Sequence, residues 1–165
     1  MTEQLPVDAT SFRKALAQFA SGITVVTTRD AAGEPLGLTV SAFCSVSLEP
    51  PLVLISLDQK SEANAGLRAT GVFGLSILAE GQDAVSRLCA RPGPSKFADL
   101  PMRTGERGMS LVEDALAQIE CEVRAAHPAG DHVLYVGQIV SIAVRPGRPL
   151  LYHRGGYRRL AEEAE

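Results

Sequence analysis

The apolar positions change period along this chain, and the changes divide it into elements. Phe12, Ala15, Leu16 and Phe19 recur at helical spacing and form one stripe, which predicts a first helix. Asp8 or Thr10 can cap its start, and Gly22 falls just past its end. From residue 23 the β-branched run ITVVTTR (23–29) suits a pleated strand. Asp30–Glu34 carries turn chemistry, and PLGLTVSAF (35–43) returns as the next strand. A short run over 45–48 stops at Pro50-Pro51, which cannot donate to a sheet ladder. LVLISLD (52–58) is a continuous apolar strand. Ser61 then predicts an N-cap for a helix over 62–69 with Ala63 and Leu67 on its inner stripe. VFGLSIL (72–78) is another strand and 82–90 another short helix. Residues 91–110 hold Pro, Gly and charge without periodicity; a loop of that length in a compact domain is functional or mobile.

The C-terminal third is the clearest. In 117–125, Ile119, Cys121, Val123 and Ala125 alternate with polar residues, the mark of a strand with one wet face. Pro128–Asp131 predicts a turn. The strand 132–145 is apolar on both sides: Val133, Tyr135 and Ile139 on one, Leu134, Val136, Val140 and Ile142 on the other. One side then faces a core, and the other a partner subunit. A last strand, 149–153, precedes Gly155-Gly156-Tyr157. Seven or eight mostly antiparallel strands with two or three short helices predict a closed or nearly closed barrel, which removes exposed edges.

Composition narrows the function classes. The 165 residues make one domain, 1–165, large enough to bury a core without metal or disulfide. A net charge of −3 gives no basis for binding nucleic acid or an anionic membrane. Arg154, Arg158 and Arg159 cluster near the end and read as a solvated face. Cys44, Cys89 and Cys121 are three, far apart and among apolar neighbours, so buried free thiols in a reducing compartment are expected. The opening MTEQLPVDAT lacks the basic and apolar regions of a signal peptide, and the apolar runs are too short to span a bilayer. These features predict a cytoplasmic protein.

Several chemistries find no motif. There is no G-x-G-x-x-G, no phosphate-binding P-loop, no G-x-S-x-G and no H-E-x-x-H. His127 and His132 have no carboxylate or cysteine partners at ligand spacing, so no metal site is expected. Small polar residues set among strands remain. Thr39, Val40, Ser41 and Ala42 either tolerate hydroxyls on an outer face or let a planar ligand approach the backbone. Ser56-Leu57-Asp58-Gln59-Lys60-Ser61, at a strand end entering a helix, is either an ordinary cap or a phosphate seat.

Taken in order, the stretches SGITVVTT (21–28), GLTVSAFCSVSLEPPLVLISLD (37–58), SKF (95–97), IECEV (119–123), GDH (130–132) and PLLYHRGGY (149–157) resemble the short-chain flavin reductases, the reductase components of two-component flavin monooxygenases. The resemblance covers about residues 10–160. It implies a split (Greek-key) antiparallel β-barrel, mainly β and homodimeric, that binds FMN or FAD and takes hydride from NADH or NADPH. It further implies that Thr39, Val40, Ser41 and Ala42 line the isoalloxazine ring, and that Ser56, Leu57 and Asp58 pass beneath the ribityl chain. By the same resemblance Lys60 and Ser61 lie near the phosphate, Lys96 and Phe97 reach toward the flavin, His132 stands at the nicotinamide pocket and Tyr157 closes the site. Glu62 and Ala63 depart from the family pattern, in which a basic residue and a threonine often follow the serine; this implies looser flavin binding. The implied function is reduction of flavin for a partner monooxygenase. Alternatives are a flavoprotein reducing a corrinoid or ferric chelate, and a flavin-binding module without activity.

Overall fold

The computed structural model describes residues 7–161; residues 1–6, part of the stretch read as free of a leader, lie outside it. Helix α1 (Ala9–Leu16) begins where the Asp8 carboxylate accepts the N–H groups of Thr10 and Ser11, both at 2.9 Å. Strand β1 (Ser21–Gly22) follows, so Gly22 lies in a ladder with Leu151 and does not simply trail the helix. Then come the hairpin β2 (Thr24–Arg29) and β3 (Pro35–Val40), and the hairpin β4 (Phe43–Ser47) and β5 (Leu52–Asp58). Asp30 closes the first hairpin by accepting the N–H groups of Ala32 and Glu34, with Gly33 at positive φ. Helix α2 (Ala63–Thr70) ends at Gly71 in the left-handed region and leads into β6 (Val72–Ile77). Helix α3 (Asp83–Cys89), a 3₁₀ turn (Pro94–Phe97) and the small hairpin β7 (Met102–Thr104) and β8 (Ser110–Val112) come next. The long pair β9 (Ala117–Ala129) and β10 (His132–Val144) and the short pair β11 (Leu151–His153) and β12 (Gly156–Arg158) complete the order.

Seven strands form one antiparallel sheet in the order β3-β2-β6-β9-β10-β5-β4. β3 and β4 are its two outer edges, yet only Ser41 and Ala42 join them. Two linking residues span at most about 11 Å, so the edges must meet and the sheet must curl into a barrel. The expected mainly-β barrel is present, with twelve strands and three α-helices among the described residues. Its predicted 35–43 strand is broken at this link, because the chain there crosses from one edge of the sheet to the other.

Two cores hold the barrel. Inside lie Val26, Ile55, Leu57, Phe73, Leu75, Cys121 and Tyr135, closed at one end by Ala63 and Leu67 of α2. Outside β2, a second core of Ile23, Val25, Leu78, Cys89, Val112 and Leu150 forms under α3, β8 and β11. Val25 and Val26 point to opposite faces of one strand, so β2 serves both.

Four other expectations are corrected. Helix α2 starts at a Glu62 cap that makes no side-chain cap bond; Ser61 is one residue earlier, its Oγ accepting from Ala63 N–H at 3.3 Å. The 128–131 turn is shorter, since β9 runs to Ala129. β6 stops pairing at Val72↔Glu122, leaving Pro128 a ladder partner on one side only, where a missing N–H is tolerated. The 91–110 stretch contains a helical turn and β7. Cys44 is exposed, because its side chain points out of the edge strand β4, while Cys89 and Cys121 are buried. No helix among the described residues is long and apolar enough to cross a membrane.

Candidate functional site

Two cavities open beside the β3–β4 link and the start of α2. The first, of about 300 Å³, lies between Leu36–Leu38 of β3, the Lys60–Ala63 turn, the end of α3 at Cys89–Gly93, and Lys96 with Phe97. Glycine at position 37 makes its floor possible: a Cβ there would stand 2.6 Å from the Val26 carbonyl oxygen and 2.8 Å from the Phe97 ring. Lys96 Nζ donates to the carbonyls of Cys89 (3.1 Å) and Arg91 (2.8 Å), capping the C-terminal end of α3. Its charge also stands 5.8 Å over the Phe97 ring. Burial draws the Lys96 pKa below the ordinary lysine value, against the opposing influence of Cys89 and Glu62. The cavity therefore mixes the cations of Lys60, Arg91 and Lys96 with the carboxylate of Glu62.

The Asp58–Ser61 turn is fixed from two sides. Asp58 accepts Lys60 N–H at its carboxylate (2.8 Å) and Ser61 N–H at its carbonyl (2.9 Å). Opposite, Gln59 donates its N–H to Asp131 O and its Nε2 to Gly130 O, both at 2.9 Å. The tip of the β9–β10 hairpin is thereby docked on the turn, and His132 sits in register with Asp58. The His132 Nδ1 lies 2.7 Å from the Asp131 carboxylate, and that hydrogen bond holds the Asp131 carboxyl below the usual range.

The second cavity, of about 470 Å³, lies between Leu16 at the end of α1, Phe19 three residues beyond the helix, the Ser41–Cys44 segment, and Tyr152–Gly155. Arg154 shapes its rim at positive φ, donating its N–H to Ala17 O (3.1 Å) and its Nε to Gln18 Oε1 (2.8 Å). Ser56 N–H donates to Ala42 O at 3.1 Å. The end of β5 therefore runs from this cavity, at Ala42, toward the first, at Lys60.

The residues singled out in the sequence are thus divided between two surface cavities, the docked hairpin and the core. Lys60, Ser61, Lys96 and Phe97 share the first cavity, and Ser41 and Ala42 share the second. His132 stands at the docked hairpin beside Asp58. Val40 and Leu57 turn their side chains into the inner core, and Ser56 is half-buried. Thr39 Oγ1 donates to Ser86 O (2.6 Å), and Tyr157 Oη donates to Ser86 Oγ (2.9 Å), so both pack on α3. Tyr157 also lies beneath the Arg87 guanidinium at 5.0 Å and borders neither large cavity. Sequence reasoning passed over Gly37, Ser86 and Asn64. A glycine inside a strand signals close approach, which could have marked Gly37; the other two carry no such mark.

By architecture this is a split antiparallel β-barrel with clefts on its outer surface. The chain belongs to the flavin reductase-like family, whose domain description matches residues 16–161. It is similar to an NADH-dependent flavin reductase of Rhodococcus sp, 43% identical over 150 residues, covering 90% of this chain and 84% of that protein. It is likewise similar to the reductase component of 4-hydroxyphenylacetate 3-monooxygenase from Thermus thermophilus, 40% identical over 151 residues, covering 91% and 95%. Among solved structures it resembles the NADH:FAD oxidoreductase of Streptomyces globisporus C-1027 in complex with NAD and FAD fragments. That match has a TM-score of 0.90 at 33% identity and covers 96% of each chain.

Proposed function

We propose that this chain, as one domain over 1–165, takes hydride from NADH, passes it to FMN or FAD and hands the reduced flavin to a partner monooxygenase. The observation that carries the reading is the convergence of Lys60, Ser61, Lys96 and Phe97 in one cavity, with the His132 hairpin bonded to the same turn. The residues fit a phosphorylated ring ligand. Gly37 clears a flat seat for Phe97, and Lys60 and Arg91 offer cations to a phosphate.

The two nucleotides supply the hydride chemistry, so the protein needs no nucleophile or acid. Lys60 and the Ser61 hydroxyl hold the phosphate, while the Ser41–Ala42 backbone offers a ring edge its hydrogen bonds. His132, kept oriented by Asp131, positions the nicotinamide half of the donor. Lys96, engaged with the carbonyls of Cys89 and Arg91, keeps Phe97 and the end of α3 in place. The relatives named above as reductase components support the monooxygenase partner. The exposed stripe of α1 and the uncovered Ile142 and Val144 of β10 support a homodimer, and the three free thiols support a cytoplasmic setting.

The test is steady-state oxidation of NADH and NADPH with FMN, FAD, riboflavin or no flavin. Turnover that saturates with added flavin is expected. Turnover that needs no added flavin but needs a corrinoid or ferric chelate replaces the reading with another acceptor, and no oxidation under any condition overturns it. His132→Ala should mainly raise the KM for NADH, whereas a fall in kcat alone would give the imidazole a chemical role.

A further inference from the structure

Asn64 is 1% exposed, and nothing in the reaction calls for it. Its two Nδ2 hydrogens are shared among three backbone carbonyls, those of Asp58 (2.8 Å), Ser61 (3.0 Å) and Gln59 (3.3 Å). Its Oδ1 accepts from Tyr135 Oη at 2.8 Å, inside the barrel. Tyr135 is itself 1% exposed, and burial raises its phenol pKa above the ordinary value, so it remains a donor at neutral pH. This is a saturated buried amide, and a buried polar group earns its place only when all its bonds are made.

The carbonyls it gathers belong to the turn that carries Lys60 and Ser61. The same turn binds the hairpin tip through Gln59, and His132 stands two residues beyond Gly130. Tyr135 lies on β10, three residues from His132 and in register with Ile55. A closed path therefore runs from Lys60 and Ser61 through Asn64 and Tyr135 to β10 and His132, and back through Asp131 and Gln59.

We infer that Asn64 and Tyr135 are a positioning pair that fixes the distance between the phosphate seat and His132, and so the register of the two nucleotides. The inference rests on the reductase reading above. An ordinary buried hydrogen bond stabilises without favouring one part of the surface. This one joins the two places where, on that reading, flavin and nicotinamide are held.

Tyr135→Phe tests it with little change of volume, leaving Asn64 Oδ1 without its donor; Asn64→Ala removes the three carbonyl contacts as well. Both are compared with Ser76→Ala, which deletes a buried acceptor for Val112 N–H at 3.0 Å, in the other core. The expected result is that Tyr135→Phe raises the KM for flavin and the KM for NADH together by roughly three- to tenfold, the worth of one buried hydrogen bond, with kcat within about twofold. Ser76→Ala should lower the melting temperature comparably while leaving both KM values in place. Unchanged KM values in a folded Tyr135→Phe protein, or equal KM changes in Ser76→Ala, overturn the inference. If Asn64→Ala does not fold, Tyr135→Phe alone decides. A wild-type chain that turns over no flavin sinks the reductase reading and this inference with it. An active wild type with an unmoved Tyr135→Phe sinks the inference alone.

Discussion

Helices α1 and α2 are both eight residues long and both carry an apolar stripe, yet the fold treats them oppositely. On α2, Ala63 and Leu67 are 2% and 1% exposed and close the end of the barrel. On α1 no residue is buried, and Phe12 and Leu16 are each 57% exposed. Periodicity announces that a face will be covered without saying by what. The barrel covers α2, whereas nothing among the described residues covers α1. That stripe adjoins exposed Cys44 across the second cavity, on the face where the homodimer proposed above would seat a second copy of the chain.

The largest expected effect lies on the covered side. Leu67→Ala should cost roughly 3 kcal/mol, a fall in melting temperature of roughly 10 °C, through the cavity left under α2. Leu16→Glu on α1 should change the stability of a monomer by no more than about 0.5 kcal/mol, as surface substitutions do. It should instead halve the particle mass in sedimentation at concentrations where the wild type is a dimer. If Leu16→Glu destabilises a monomeric chain as Leu67→Ala does, the contrast between the helices is wrong. A wild type that sediments as a monomer removes the second copy.

What was legible in the sequence follows the same division. The β-branched run before Arg29 and the alternation in 117–125 announced β2 and β9, because local side-chain chemistry decides those strands. The barrel itself was legible only as a strand count. Its closure depends on Ser41 and Ala42 joining opposite edges, and those residues read as the end of a continuing strand. Lys60 and Ser61 stand out in the sequence as a cap or phosphate seat, Lys96 and Phe97 only through family resemblance, and the four share a cavity. Thr39, a hydroxyl in an otherwise apolar strand, and Tyr157, known only from the resemblance, both bond to Ser86, contacts across 47 and 71 residues that no local pattern announces. Asn64 was invisible for the same reason: its partner Tyr135 is 71 residues away.

A smaller effect is expected where α2 meets the first cavity. Glu62 makes no cap bond, so its carboxylate adds negative charge near Lys60 without a structural return. Glu62→Gln should lower the KM for FMN by about threefold at low salt, and by less at high salt, where the interaction is screened. Riboflavin, which has no phosphate, should respond little. An equal change for both flavins would mean that the carboxylate acts on the shape of the turn and not on charge.

The smallest effect is a change in one reaction rate, and it separates the two sides most directly. Burial pushes the Cys89 thiol up to about 11, with Lys96 opposing, and the Cys121 thiol up to about 12, with Glu120 adding to it. Both therefore stay protonated and shielded at about pH 8, where a thiol reagent needs an accessible thiolate. Cys44 is exposed on β4, beside the α1 stripe. The native chain should accordingly react at one thiol and the denatured chain at all three. If a second copy covers the α1 side, labelling of Cys44 should slow severalfold as protein concentration rises through the dimer transition, and Leu16→Glu should abolish that dependence. A Cys44 rate that ignores concentration while the wild type remains dimeric would place the partner on another face and leave the α1 stripe uncovered in the assembly as well.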